Sequence, residues 1–211
     1  MKPMIGRFVL ELSSYTHFDN VENQYSSSFQ FHDITCGNLK LYLENMLFLK
    51  PDTILIGEAP GYKGCRWTGI PFTSEKVLLG EYKEKHLFGV NNGYRIRDIK
   101  RPQAEATATI MWTYLTTFNV YPLLWNAFPF HPHFPGEFDS NRKPSSKELD
   151  VGKNILQELL DIFQISNIVA VGNTAYKTLT SMNIQGTKIR HPANGGKSDF
   201  IKGLSHELMM R

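Results

Sequence analysis

Four short runs of apolar and β-branched residues, each bounded by Gly, Pro or Asn, constrain the fold more than any other feature: Thr53 to Ile56, Val120 to Trp125, Ile168 to Val171 and Thr187 to Ile189. Runs this short and this apolar read as strands buried on both faces, the pattern of a parallel sheet. Helical periodicity fills the gaps between them. Residues Glu105 to Phe118 place Ile110, Met111, Tyr114, Leu115 and Phe118 at offsets of three and four, which is one helix face. The segment from 145 to 163 opens on a capping box, Ser145-Ser146-Lys147-Glu148, and continues with Leu149, Leu156, Leu159, Leu160 and Phe163 at helical period. Further helices are expected from Asn173 through Leu179 and from near Ser198, the latter carrying Phe200, Ile201, Leu204 and Leu208. Strands that alternate with helices imply right-handed crossovers. The pattern therefore predicts an α/β fold, a three-layer α/β/α sandwich around a short, mainly parallel four-stranded sheet. The first 50 residues give only weaker helical hints, at 5 to 12 and 38 to 48.

Over 211 residues no internal repeat, low-complexity tract or linker interrupts this pattern, so a single domain spanning 1–211 is expected. With 41% hydrophobic residues, the chain has enough apolar material for a sizeable core. A formal charge of +3 permits a polyanionic partner without demanding one. Arg7 and Glu11 break the apolar stretch at the start, so no signal peptide is read there. No run approaches the roughly 18 apolar residues of a membrane span. These features set a cytoplasmic chain with no membrane partner as the expectation. The two cysteines, Cys36 and Cys65, lack metal-ligand spacing and cannot make a four-thiolate zinc or iron–sulfur site within one chain. They read as free thiols of a reducing compartment.

In open parallel sheets, ligands bind outside the carboxyl ends of the strands. Four distant segments fall there: Gly57-Glu58-Ala59-Pro60-Gly61 after the first strand, Asn126 to His133 after the second, Gly172-Asn173 after the third and His191-Pro192 after the fourth. They are expected to converge on one crevice. The first could equally be a turn in which Gly and Pro only satisfy geometry. Asn126 can donate and accept at once, which suits the edge of a pyrimidine, although a loop Asn often serves only as a cap. His191 could donate to an oxygen on which negative charge builds, or be an ordinary hydrogen-bonded loop residue. The stretch Arg190-His191-Pro192-Ala193-Asn194-Gly195-Gly196-Lys197 adds a Gly pair that would let the backbone approach a phosphate chain.

Taken together, Gly57-Glu58-Ala59-Pro60-Gly61, Thr68-Gly69-Ile70-Pro71-Phe72, Asn126 and His191-Pro192, in that order and spacing, resemble the uracil-DNA glycosylase superfamily from about Thr53 to Leu204. The wording of the first motif is similar to the iron–sulfur class of that superfamily. The register from Gly57 to Phe72 is similar instead to its single-strand-selective monofunctional class. The resemblance implies a base-flipping enzyme that draws the target nucleotide into a pocket. Gly57, Ala59 and Gly61 would border the base, Phe72 would stack on it, Asn126 would read its N3 and O4 edge, and His191 would donate to O2 as the glycosidic bond breaks. Cofactors are not implied.

The chain departs from the family pattern in three respects. Where the best-known uracil-DNA glycosylases carry an Asp that positions water, this chain has Ala59, leaving Glu58 as the only carboxylate of the motif and the leading candidate for that task. Its alternative is a structural role bonding the loop's own backbone. Some relatives place a Tyr against thymine's methyl group where this chain has Gly61, so exclusion of thymine must come from elsewhere, with Tyr62 a candidate, or be weak. The missing cluster cysteines set the chain apart from the iron–sulfur class.

Charge placement favours DNA as the partner. Lys188, Arg190, Lys197 and Lys202 crowd the His191 motif against the single acid Asp199, and Lys63 and Arg66 flank the first loop. Lys63, Arg66, Arg190, Asn194, Gly195, Gly196 and Lys197 are therefore expected at the DNA surface. The basic run from Tyr82 to Arg101, with Lys83, Lys85, Arg95, Arg97, Lys100 and Arg101, is either a solvated face or a DNA-contacting insertion. His131 and His133 lie two apart without a third ligand in view, so they read as the wall of the pocket and no metal is expected. The leading expectation is a monomeric, monofunctional enzyme that hydrolyses the N-glycosidic bond of deoxyuridine in single- or double-stranded DNA. The alternatives are a glycosylase for another deaminated or modified base and a catalytically silent DNA- or nucleotide-binding homologue.

Overall fold

The computed structural model describes residues 2–16, 18–80 and 87–209; Lys83, Glu84 and Lys85 of the basic run lie outside them. Two helices, α1 (Lys2–Ser14) and α2 (His32–Leu49), precede the first central strand and pack on each other. Both run longer than the sequence hints. In α2 the apolar face is interrupted by Thr35 and Asn38, yet both are buried. The Thr35 hydroxyl donates to the Gln24 carbonyl, and the Asn38 amide donates to the carbonyls of Thr68 and Arg95 at 3.0 and 2.8 Å. Polar residues that find partners inside the fold hide a helix from a pattern based on hydrophobicity.

Four parallel strands form the centre: β2 (Thr53–Gly57), β3 (Leu123–Asn126), β5 (Asn167–Val171) and β6 (Thr187–Ile189), in the spatial order β3-β2-β5-β6. The predicted second strand loses its first residues because Asn119, at φ 56, ends the preceding helix and Pro122 has no N–H to give the ladder. Between the strands lie two short helices, α3 (Cys65–Thr68) and α4 (Glu75–Leu78), then α5 (Ala106–Phe118), α6 (Ser146–Ile162) and α7 (Asn173–Ser181), and α8 (Lys197–Met209) follows β6. The step from β2 to β3 runs opposite to those from β3 to β5 and from β5 to β6, so right-handed crossovers put α5 on one face and α6 and α7 on the other. In keeping with this, α5 packs against α8, α6 against β3, and α7 against β5 and β2. The expected three-layer α/β/α sandwich is the observed fold. A small antiparallel pair, β1 (Val21–Glu22) with β4 (His131–Pro132), had no signal in the sequence and ties the N-terminal segment to the loop after β3.

Register places the loops. Gly57 lies opposite Asn126, and Val171 opposite Ile189, so neighbouring strands end level and release their loops at the same edge of the sheet. The loop after β3 is then clamped from behind, because the bare backbone of Gly152 in α6 lies so close to the Ala127 carbonyl that a Cβ there would come within 2.0 Å of its oxygen. The capping box is present in full, with Ser145 accepting from Glu148 N–H and the Glu148 carboxylate accepting from Ser145 N–H. Among the described residues no helix is long and apolar enough to cross a membrane.

Candidate active site

The loops at the carboxyl edge enclose a cavity of about 290 Å³ lined by Glu58, Ala59, Gly61, Phe72, Asn126 and His191, which four separate stretches of sequence supply. That volume is at the small end of the ~300–1,000 Å³ usual for ligand sites, the scale of a single ring system and its sugar.

Gly57 explains how two of these residues meet. A Cβ at this position would lie 2.5 Å from Phe72 Cζ and 2.7 Å from Asn126 Oδ1, so the ring and the carboxamide occupy the space a side chain would need. Phe72 holds its place at φ 56, a left-handed conformation uncommon for a bulky residue, and its carbonyl accepts a hydrogen bond from Trp112 Nε1 at 2.9 Å. Strain of this kind persists where the surrounding fold over-determines it. Asn126 is only 3% exposed, yet its carboxamide has no hydrogen-bond partner among the described residues. A buried polar group left open toward a cavity is prepared for a ligand.

His191 leaves β6 half-buried, and its Nδ1 accepts the Ala193 N–H at 3.1 Å. An acceptor at Nδ1 assigns the proton of the neutral ring to Nε2. Burial pulls the His191 pKa below its ordinary value, against the opposing charges of Glu105 and Glu58 and together with that of Arg190. Near neutral pH the ring is therefore a neutral donor.

Glu58 does not bond its own loop as the structural alternative required. Its carboxylate accepts the Thr174 hydroxyl, at the start of α7, which fixes it at a helix N-terminus. A Cβ at Gly61 would meet nothing within 4 Å, so the small residue leaves open space at this side of the cavity. Tyr62, next in the chain, donates its backbone N–H to Asn141 Oδ1 at 3.0 Å.

The expected DNA surface divides. Lys63, Arg190, Asn194, Gly195 and Lys197 are exposed, on the chain segments that also supply the lining residues Gly61, Gly64, His191 and Ala193. Arg66 is a correction. It is 5% exposed, pairs with Glu22 and with Asp139 at 2.9 Å, and stacks 4.2 Å from the Trp67 ring, so its charge is used inside the fold. Gly196 is buried too, because a Cβ there would come within 2.1 Å of the His191 carbonyl. Its bareness serves the tight turn of its own loop, whereas Gly195 and Asn194 carry the positive φ values of 76 and 52. In the basic run, Arg97 is spent on Glu75 and lies 3.6 Å over Trp67, while Lys100 and Arg101 remain exposed.

The loop histidines, expected at the wall of the pocket, do not line the cavity. His131 is fully buried with Nδ1 2.9 Å from the Pro60 carbonyl and Nε2 3.0 Å from that of Phe138, linking the first motif to the loop after β3. Among the described residues no three His, Cys, Asp or Glu side chains gather to hold a metal. Cys65 lines the cavity, but burial pushes its thiol far up and keeps it protonated; Cys36, also lifted chiefly by burial, stands at about 11.

Sequence reasoning missed Glu105, Thr107, Asn141 and Arg142, all of which line the cavity. Arg142 is neutralised there by a two-pronged pair with Glu148 at 2.8 and 2.6 Å. Glu105 carries the only local signal, an acid placed directly before a helical stretch, and it proves to be the N-cap of α5.

No curated protein matches the sequence. Among solved structures, SMUG2 of Pedobacter heparinus superposes with a TM-score of 0.63 at 16% sequence identity, covering 96% of this chain and 94% of that one, a likeness of fold. The family model described as the uracil DNA glycosylase superfamily matches residues 48–206, a span that contains every motif of the cavity. The chain belongs to the uracil DNA glycosylase superfamily and is, at that level, a DNA glycosylase.

Proposed function

We propose that this protein is a monofunctional uracil-DNA glycosylase: it draws deoxyuridine out of the strand, hydrolyses its N-glycosidic bond and leaves an abasic site. The observation that carries the reading is the buried, unpartnered Asn126 carboxamide, set beside Phe72 and the neutral Nε2–H of His191 in one cavity. Asn126 accepts from uracil N3–H and donates to O4. Cytosine presents the reverse pattern, and a site built on such matching discriminates by about 10⁴. Phe72 offers its ring to the base. As the N1–C1′ bond breaks, its electron pair leaves on the base and spreads to O2, where His191 donates. Glu58, steadied by Thr174, orients the water whose oxygen adds to C1′ and takes up the proton that water releases. The leaving uracil is protonated from solvent.

Among the described residues no lysine lines the cavity, which supports hydrolysis by water without an intrinsic lyase step. Incubation with uracil-containing single- and double-stranded oligonucleotides, followed by alkali, is expected to give strand scission, and borohydride is expected to trap no covalent adduct. Absence of scission on both substrates overturns the proposal. A second reading rests on Gly61: open space there favours bases larger than uracil, such as hypoxanthine or xanthine, and the same assay with those bases separates the two.

A further inference from the structure

Base recognition as proposed uses Phe72, Asn126 and His191, and leaves one charged wall of the cavity without a task. Glu105 caps α5 with both carboxylate oxygens, one accepting Thr107 N–H at 2.9 Å and the other Ala108 N–H at 2.7 Å. Each oxygen keeps lone pairs, and the carboxylate is held in one orientation at the positive end of a helix. Glutamate is not among the residues preferred for this cap; Ser, Thr, Asp or Asn would serve it from a shorter stem. What Glu adds is reach and charge. Its stem lies against the loop of the first motif, where a Cβ at Gly64 would come within 3.2 Å of Glu105 Cγ.

Two buried acids of this fold, Glu75 and Glu148, are matched to arginines, Arg97 and Arg142, and a third, Glu207, lies beside His206, whereas Glu58 and Glu105 are half-buried. Among the described residues Glu105 and Glu58 have no cationic partner, and the one arginine in the cavity is already neutralised. Two carboxylates without a cationic side chain to match them oppose the entry of a polyanion. They become favourable only when positive charge arises between them. Hydrolysis of a nucleoside supplies such a charge, because the sugar ring gains positive character at C1′ and O4′ while the N1–C1′ electron pair departs with the base.

We infer that Glu105 is the carboxylate that stabilises the cationic sugar during bond cleavage, a task separate from the water-orienting role of Glu58. Glu105 forms no bond and exchanges no proton; water adds to C1′ and its proton goes to Glu58. The inference rests on the glycosylase reading above, and its test is a binding measurement that needs no turnover.

DNA carrying a pyrrolidine abasic analogue, cationic at neutral pH, is compared with DNA carrying its neutral tetrahydrofuran counterpart, for wild type, Glu105→Gln and Glu105→Ser. Wild type is expected to bind the cationic analogue at least ~10-fold more tightly, since mimics of transition-state charge gain affinity where a site is built for it. Both variants are expected to reduce that preference to within about two-fold while binding the neutral analogue at least as well as wild type. Glu105→Ser, which keeps a good cap, should retain the wild-type thermal midpoint, so a purely structural role would leave the preference untouched. A ten-fold preference that survives in both variants, or its absence from wild type, overturns the assignment of Glu105. Uracil release by wild type in the same preparation then shows whether the glycosylase reading stands.

Discussion

A methyl group added at Gly57 would sit 2.5 Å from the Phe72 ring and 2.7 Å from the Asn126 carboxamide oxygen, the two groups expected to hold the base. Gly57→Ala should therefore displace both, and misplacement by about 1 Å commonly costs around 10²-fold in rate. Single-turnover release of uracil measures this, with thermal unfolding as a control for the overpacking cost of about 1–3 kcal/mol. His191 makes a prediction in pH. Burial holds its folded pKa below the unfolded 6.5, so the ring stays neutral at pH 7 and its contribution to stability is fully present above pH 6.5. As pH falls below 6.5 the unfolded chain takes up the proton first, and stability declines until the folded ring is protonated as well. The rate should follow the folded pKa: a pH–rate profile is expected to fall on the acid side below 6.5, a limb that His191→Ala removes along with about 10²- to 10³-fold of the rate while DNA binding is kept.

At the scale of elements, the cavity depends on how helices hold the strand-end loops. The α6 helix carries no catalytic side chain, yet its bare Gly152 lets it lie against the Ala127 carbonyl, one residue beyond Asn126. Gly152→Ala places a Cβ within 2.0 Å of that oxygen, and neither backbone can yield by rotating a side chain. The variant should lose about 1–3 kcal/mol of stability and impair uracil release beyond what its unfolded fraction explains. Denaturant titration beside single-turnover kinetics checks both parts. Removing the cap with Ser145→Ala serves as the contrast. It should cost about 1 kcal/mol without changing the rate per folded molecule, because the capping box sits at the start of α6, away from the Gly152 approach to the loop.

Across the whole molecule, exposure separates cations that meet solvent from cations that hold the fold together. Lys63, Arg190 and Lys197 stand exposed on the segments that carry the cavity loops, whereas Arg66 lies buried between Glu22, Asp139 and Trp67. Replacing Arg190 or Lys197 with Gln should lower the slope of log affinity against log salt by about 0.7–0.9 for each phosphate that is no longer neutralised. Arg66→Gln should leave the slope unchanged and lower stability instead, since it takes the partner from the largely buried Glu22 carboxylate and uncovers Trp67. Binding titrations over a range of salt concentrations, with thermal melts alongside, distinguish the two outcomes.

The four central strands, the helices between them and the Gly57, Phe72, Asn126 and His191 motifs were legible in the sequence because each is local. A β-branched run or a Gly-Pro turn carries its conformation in its own residues, and parallel strands separated by helices leave few ways to be joined. The N-terminal helices were blurred because Thr35 and Asn38 are satisfied by carbonyls far along the chain, which no periodicity can show. Arg66 looked like a phosphate-binding residue and Glu105 like an ordinary helix start for the same reason. Whether a charge faces solvent, a partner or a cavity depends on residues tens of positions away. The sequence alone determined the layered α/β architecture and the residue types gathered at one edge of the sheet. Only the tertiary structure decided which of those side chains are free to act, because freedom here is a matter of burial and pairing across the fold: Asn126 left open, Arg66 consumed, and Glu105 brought to a cavity that its neighbours in sequence do not reveal.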